Sequence, residues 1–172
     1  GRWADVQPDR LALIHIDTQD DAHHWQYGQI ESAAIGLRAA LKTLGLARQD
    51  RIALMLPQSP ETIISNIAGY YSEAIILTLF SLFGLDALSY RLKDSATRFV
   101  ITDSTGYEKL CQIVQDCPDI EHVIIIDSLP DEHNGHSDFP NCHNFWQLVD
   151  TASLDRTRPD TSIDDPAIMI YT

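Results

Sequence analysis

Five short apolar runs set the terms on which this chain can fold: Ile52-Ala-Leu-Met-Leu56, Ile75-Ile-Leu77, Phe99-Val-Ile101, Val123-Ile-Ile-Ile126 and Ala167-Ile-Met-Ile170. None alternates apolar with polar residues, so each reads as a strand buried on both faces. Between them the apolar spacing lengthens to that of a helix. Ser59 and Pro60 open one such segment as N-cap and first-turn proline, with Ile63, Ile64, Ile67, Ala68 and Tyr71 on its apolar face. Leu85, Leu88 and Leu92 mark the next, and Asp103 or Ser104 caps a third that carries Tyr107, Leu110, Cys111 and Val114. Strands that alternate with helices over short connections pair in parallel through crossovers. The expectation is an α/β fold, a mainly parallel open sheet with helices on both faces.

The flanking segments follow different patterns. Arg10–Asp17 is rich in β-formers, Gln19-Asp-Asp-Ala22 interrupts it, and His23–Tyr27 resumes an extended pattern, which predicts a small N-terminal hairpin. Ile30, Ala33, Ala34, Leu37, Leu41 and Leu44 then share one helix face, and Gly45 stands where a left-handed C-cap is wanted. Leu37, Leu41 and Ile64 are expected to cover the sheet. Residues 128–145, broken by Pro130, Gly135 and Pro140, read as an exposed excursion, followed by a short helix from Phe145 to Ala152. Thr157–Pro166 is polar and acidic, and Ala167–Ile170 is expected as a last buried strand.

Charge and cysteine usage narrow the partners. The chain of 172 residues suits one domain and carries a net charge of −13, which opposes binding to nucleic acid and to anionic membrane surfaces. The excess is uneven: residues 1–110 hold 10 basic and 13 acidic groups, and residues 111–172 hold 2 and 12. Three cysteines, none in a C-x-x-C pair, and no secretory leader make the cytoplasm the expected location. The longest apolar stretch, Ala74–Leu85, is interrupted by Thr78 and Ser81 and falls short of the roughly 20 residues that span a bilayer. A first residue of Gly1 rather than Met suggests a trimmed amino terminus.

Candidate chemistry is sparse. No two of the eight glycines are closer than eight residues, so there is no G-x-G-x-x-G fingerprint, Walker A loop or G-x-S-x-G elbow. His133, His136, Cys142 and His143 lie within eleven residues, but the spacing fits a solvated polar loop better than a zinc site, and no metal ligand is assigned. His23 and His24 are expected to be exposed. Asp50 and Arg51 are expected to pair locally at a strand entrance, and the hydroxyls of Ser59 and Ser104 to serve as helix caps. No catalytic residue is assigned.

Taken in order, several segments resemble one enzyme family. Pro8-Asp-Arg-Leu-Ala-Leu13, Trp25-Gln-Tyr-Gly-Gln-Ile30, Ala39-Ala-Leu-Lys-Thr-Leu-Gly-Leu46 and Gln49-Asp-Arg-Ile-Ala-Leu-Met-Leu-Pro57 are similar to the opening of the AMP-forming acyl-adenylate synthetases. Leu79-Phe-Ser-Leu-Phe-Gly-Leu-Asp-Ala-Leu88, Tyr90-Arg-Leu-Lys-Asp-Ser95 and Phe99-Val-Ile-Thr-Asp103 resemble the family's next block. Asp164-Asp-Pro-Ala-Ile-Met-Ile-Tyr-Thr172 resembles the strand leading into its phosphate loop. The resemblance implies that residues 1–172 are the N-terminal α/β portion of an adenylate-forming enzyme and end at the start of that loop. Thr172 is then its first hydroxyl and the one nucleotide-binding position carried over.

The implied cofactors and co-substrates are ATP, Mg²⁺ and CoA, and the implied substrate is a small-molecule carboxylic acid. The carboxylate attacks the α-phosphate of ATP to give an acyl-adenylate and pyrophosphate, and the thiol of CoA then displaces AMP. The wording of Leu79–Leu88 is more like short- and medium-chain acid–CoA ligases than amino-acid-activating modules. An adenylation unit that serves a carrier protein, and a non-catalytic α/β interaction domain, are the alternatives. The chain alone is expected to be inactive, to bind no cofactor and to self-associate through uncovered apolar surface and a strand edge.

Overall fold

A computed structural model describes residues 2–128, 139, 141–151, 157 and 159–172. A short helix α1 (Arg2–Val6) precedes an antiparallel hairpin of β1 (Leu11–Ile16) and β2 (Ala22–Gln26). The hairpin matches the sequence expectation. Leu13 and its cross-strand partner Trp25 are half-buried, whereas Ile14, His23 and His24 are exposed. The long helix α2 (Tyr27–Thr43) follows, and Gly45 takes φ +91 just past its end, a left-handed position that glycine adopts without steric cost.

The main sheet has six strands: β3 (Arg51–Met55), β4 (Ile75–Thr78), β5 (Phe99–Thr102), β6 (His122–Ile125), β7 (Cys142–Asn144) and β8 (Ile168–Met169). Their order is β7-β6-β5-β3-β4-β8, and every pairing in it is parallel. The helices between them are α3 (Pro60–Tyr71), α4 (Leu85–Asp94), α5 (Ser104–Cys111) and α6 (Phe145–Thr151).

Two apolar layers sandwich the sheet. One joins α2, α3 and α6 through Leu37, Leu41, Ile64 and Phe145 to Ile52, Leu54, Ile76, Phe99, Ile101 and Ile124. The other joins α4 and α5 through Leu88, Leu92 and Leu110 to Ala53, Met55, Leu77, Val100, Val123 and Ile125. Consecutive residues of one strand therefore serve opposite layers, which is why the strands read as unbroken apolar runs. Leu56, Ile75 and Ile126 stand at strand ends and are half-buried.

Three expectations need correction. Residues 128–145 are not simply an excursion: Cys142–Asn144 extends the sheet beside β6, and Phe139 and Phe145 are buried, each filling one of the apolar layers. Pro130, His133, Gly135, His136 and Pro140 lie outside the described residues. Ala167–Ile170 is an edge strand rather than a buried one. It pairs on one side with β4, and Ile168 and Ile170 are 50% and 73% exposed. Asp50 and Arg51 do not pair. The Arg51 guanidinium donates to the carbonyls of Ser95 and Ala96 at 2.6 and 2.8 Å, while Asp50 pairs with Arg98. Neighbouring residues entering a strand point to opposite sides, so each finds a partner on a different segment.

Candidate functional site at the carboxyl ends of the strands

The strand order contains a reversal at its centre. From β3 the chain moves outward through α3 to β4, returns past β3 to β5, and continues in the other direction to β6 and β7. The loops leaving β3 and β5 therefore diverge to opposite layers, and the crevice at such a switch point is where open parallel sheets bind ligands.

The side chains at this edge are mostly hydroxyls and amides. The Thr102 hydroxyl donates to the Met55 carbonyl at 3.0 Å and ties the ends of β5 and β3 together. Asp103 caps α5 by accepting from the Gly106 N–H at 2.7 Å, a charge-assisted bond that satisfies an orphan first-turn donor. Gly106 has to be glycine because a Cβ there would collide with the Thr102 hydroxyl. The capping role expected of Asp103 or Ser104 thus falls to Asp103. Ser104 donates both its N–H and its hydroxyl to the Asp127 carboxylate, at 2.9 and 2.7 Å, which links α5 to the end of β6.

The β3–α3 loop behaves differently. Ser59 has the extended backbone of an N-cap, but its side chain makes no cap bond, and its hydroxyl oxygen is buried without a partner. Thr62 instead donates to the Pro57 carbonyl at 2.6 Å. Beside this loop, a cavity of about 210 Å³ opens between the ends of β3 and β4. Leu54 and Leu56 form its floor, with Gln58, Thr62, Asn66, Thr78, Phe80 and Ser81 around it.

The segment after β4 overhangs that cavity. Phe80 and Leu82 are 68% and 93% exposed. Phe83 lies under the Arg91 guanidinium at 4.4 Å, and Lys109 reaches across from α5 to the carbonyls of Ser81 and Phe83. Because β8 runs parallel to β4, the chain leaves it at the same edge, and Thr172 emerges there exposed. Tyr171, just before it, donates to Asp94 at 2.6 Å, and burial pushes its phenol up to about 12 with the Asp94 hydrogen bond adding to the effect. Lys109, Asp127, Arg91 and Tyr171 escaped the sequence reading, because each acts through partners on other elements and no local spacing signals that.

The other sequence candidates lie elsewhere. Cys142 and His143 point to opposite sides of β7: Cys142 joins the layer of α4 and α5, and His143 Nε2 lies 3.1 Å from His122 Nδ1. Burial lowers both histidines from their ordinary range. Among the described residues, no group of three or more His, Cys, Asp or Glu side chains could hold a metal ion, and His133 and His136 are outside those residues. Also among the described residues, no helix is long and apolar enough to cross a membrane.

Comparison with known proteins bears on this edge. A family model described as "AMP-binding enzyme" matches residues 1–172. The acetyl-coenzyme A synthetase 1 of Debaryomyces hansenii is 26% identical over 99% of the chain, and the acetyl-coenzyme A synthetase of Phycomyces blakesleeanus is 31% identical over 79%. The matches cover 27% and 19% of those relatives, so the chain spans about a quarter of their length. The fold is shared with a coronafacic acid ligase from Pectobacterium brasiliense, with a TM-score of 0.85 at 18% identity over 99% of this chain and 32% of that one. It is also shared with the anthranilate CoA ligase AuaEII, solved in complex with anthranoyl-AMP, with a TM-score of 0.82 at 20% identity over 97% and 30%.

Proposed function

Because the chain belongs to the AMP-binding enzyme family, we propose that residues 1–172 are the N-terminal α/β portion of an ATP-dependent, AMP-forming acid–CoA ligase, with Thr172 as the first hydroxyl of its phosphate loop. The observation that carries this reading is the family match over the whole chain. The position of Thr172 at the carboxyl edge of a parallel sheet supports it, since that is where such sheets bind ligands. Relatives named acetyl-coenzyme A synthetases favour CoA over a carrier protein as acceptor, and a small carboxylic acid as substrate. The odd cysteine count supports a reducing compartment, the cytoplasm.

The cavity between β3 and β4 does not by itself fit ATP or Mg²⁺. Among the described residues, no Lys, Arg, Asp or Glu lines it, so a triphosphate would meet no counter-charge there and Mg²⁺ no carboxylate. No chemical step is assigned to these side chains. Their part is to hold the edge from which the phosphate loop departs, with β8 fixed against β4 and the loops after β3 and β5 splayed to opposite layers.

The decisive experiment is carboxylate-dependent exchange of pyrophosphate into ATP. The full-length protein should catalyse it with a short-chain acid, Thr172→Ala should weaken it, and residues 1–172 alone should show none. Exchange by the chain alone, or its absence from the full-length protein, would overturn the proposal. Uncovered surface carries a second expectation. The open edge of β8, with Ile168, Ile170, Phe80 and Leu82 exposed beside it, favours self-association of the isolated chain. Light scattering over a dilution series should show a mass above the monomer, and a monomer at every concentration would refute this.

A further inference from the structure

Arg91 is half-buried on α4, seven residues along from Gly84, with its Nε buried and without a hydrogen-bond partner, and it makes contacts that its own helix does not require. Its guanidinium carbon lies 4.4 Å from the centre of the Phe83 ring and 5.5 Å from that of Tyr171. Phe83 belongs to the segment after β4, and Tyr171 to the chain leaving β8. The same helix completes a socket around Tyr171. Tyr90 meets it edge to face at 6.1 Å, and Asp94 accepts its hydroxyl at 2.6 Å. The Phe83 segment is itself fixed from the other side, where Lys109 of α5 holds the carbonyls of Ser81 and Phe83.

We propose that Arg91 is a positioning residue whose guanidinium, shared between the Phe83 and Tyr171 rings, couples the loop after β4 to the path of the chain at Thr172. Three features carry this. A planar guanidinium stacks on two aromatic faces, which a lysine ammonium cannot do equally well. β8 is only two residues long and pairs on one side with β4, so its ladder alone fixes the exit direction poorly. Finally, the Arg91 side chain bonds within its own helix through one contact, Nη1 donating to the Ala87 carbonyl at 2.9 Å, which leaves the face of the guanidinium to the rings. Displacement of the Phe83 loop by a ligand is thereby transmitted to the residue preceding Thr172, and the reverse. The consequence for nucleotide binding rests on the reading of Thr172 given above; the socket does not.

Two readouts in the full-length protein separate those layers. The first is the ultraviolet titration of Tyr171, isolated as the difference from Tyr171→Phe. If Arg91 holds the ring in its socket, Arg91→Ala releases the phenol to solvent and its titration moves down toward the ordinary tyrosine value. If Arg91 were only a nearby positive charge, its loss would move the titration up, and that outcome, or no change, overturns the proposal. The second is the split between KM and kcat for ATP. Arg91→Ala should raise KM by about tenfold, as expected for the loss of a cation–π contact of roughly 1–2 kcal/mol, with kcat little changed. Arg91→Lys should recover part of the KM effect, whereas equal losses in both Arg91 variants, in kcat as well as KM, would argue for general unfolding and against positioning. Should Thr172→Ala leave KM for ATP unchanged, the nucleotide reading fails, and the phenol titration still decides the socket.

Discussion

The two ends of the parallel sheet are built on opposite principles. At the amino ends, charges close the structure. Arg98, just before β5, pairs with Asp50 before β3 and with Glu121 before β6, and Arg48 spans Glu73 and Asp165 ahead of β4 and β8. Arg51 adds three bonds to backbone carbonyls at the same end. At the carboxyl ends the described residues form no such ion pairs, and hydroxyls, amides and exposed aromatic or aliphatic side chains take their place. The first end ties neighbouring strands together with ion pairs, while the second has hydrogen-bonded ties such as Thr102 to Met55 and Ser104 to Asp127 and keeps open space beside them. A scaffold of this kind can be stiff at one edge and receptive at the other without any change in the sheet between them.

Removing Arg98 is the strongest way to break that contrast. Arg98→Ala should cost about 1–2 kcal/mol, more than a typical surface pair, because it leaves Asp50 partly buried without its cation. Chemical unfolding would measure the loss, and a cost near zero would mean that the amino end is not the stiff one. The same variant sharpens the pH dependence. The hydrogen bond from Arg98 holds the Glu121 carboxyl below its ordinary value, so that pair's stability is present above the carboxylate range and lost as pH falls through it. His122 and His143 are likewise lowered by burial; the unfolded chain takes up protons first as pH drops through 6.5, so stability falls there too. Wild type should therefore lose stability in two steps on acidification, and Arg98→Ala should reduce the lower step, to which Asp17 and Asp165 also contribute, while keeping most of the upper.

A pair of caps tests the carboxyl end with smaller effects. Asp103→Ala removes a side chain that satisfies the Gly106 N–H and should cost about 1 kcal/mol. Ser59→Ala removes a hydroxyl without a partner and should change stability by less than about 0.5 kcal/mol in either direction. Thermal unfolding of the two variants side by side would measure both. A large loss in Ser59→Ala would show that the β3–α3 loop is tied down by a bond absent from this conformation.

Several local features of the fold and of the site were legible residue by residue. Gly45 announced its positive φ, Pro60 its first-turn position, and Asp103 its cap, because each depends on a few neighbouring backbone atoms. Ser59 looked identical to Asp103 at that level and failed, since in α3 it is Thr62 that turns back to the loop, onto Pro57. The segment around residues 139–145 misled because turn-forming residues dominate its composition, although Phe139 and Phe145 anchor it in the two apolar layers. The edge character of β8 was hidden for a related reason. An apolar run of four shows that a strand forms, but exposure depends on whether another strand lies beyond it.

What the chain determined by itself was the succession of elements apart from α1 and β7, the doubly covered parallel sheet and, through ordered blocks of residues, its family. These follow from apolar spacing and backbone preference, which act over a few residues. Which partners met was settled only in three dimensions. Arg98 finds Asp50 from 48 positions away and Glu121 from 23, Arg51 passes over Asp50 for carbonyls 44 and 45 residues on, and Arg91 reaches Tyr171 across 80 residues. The order β7-β6-β5-β3-β4-β8 brings those residues to common edges, and the alternation of side chains along each strand then dictates which of them can touch.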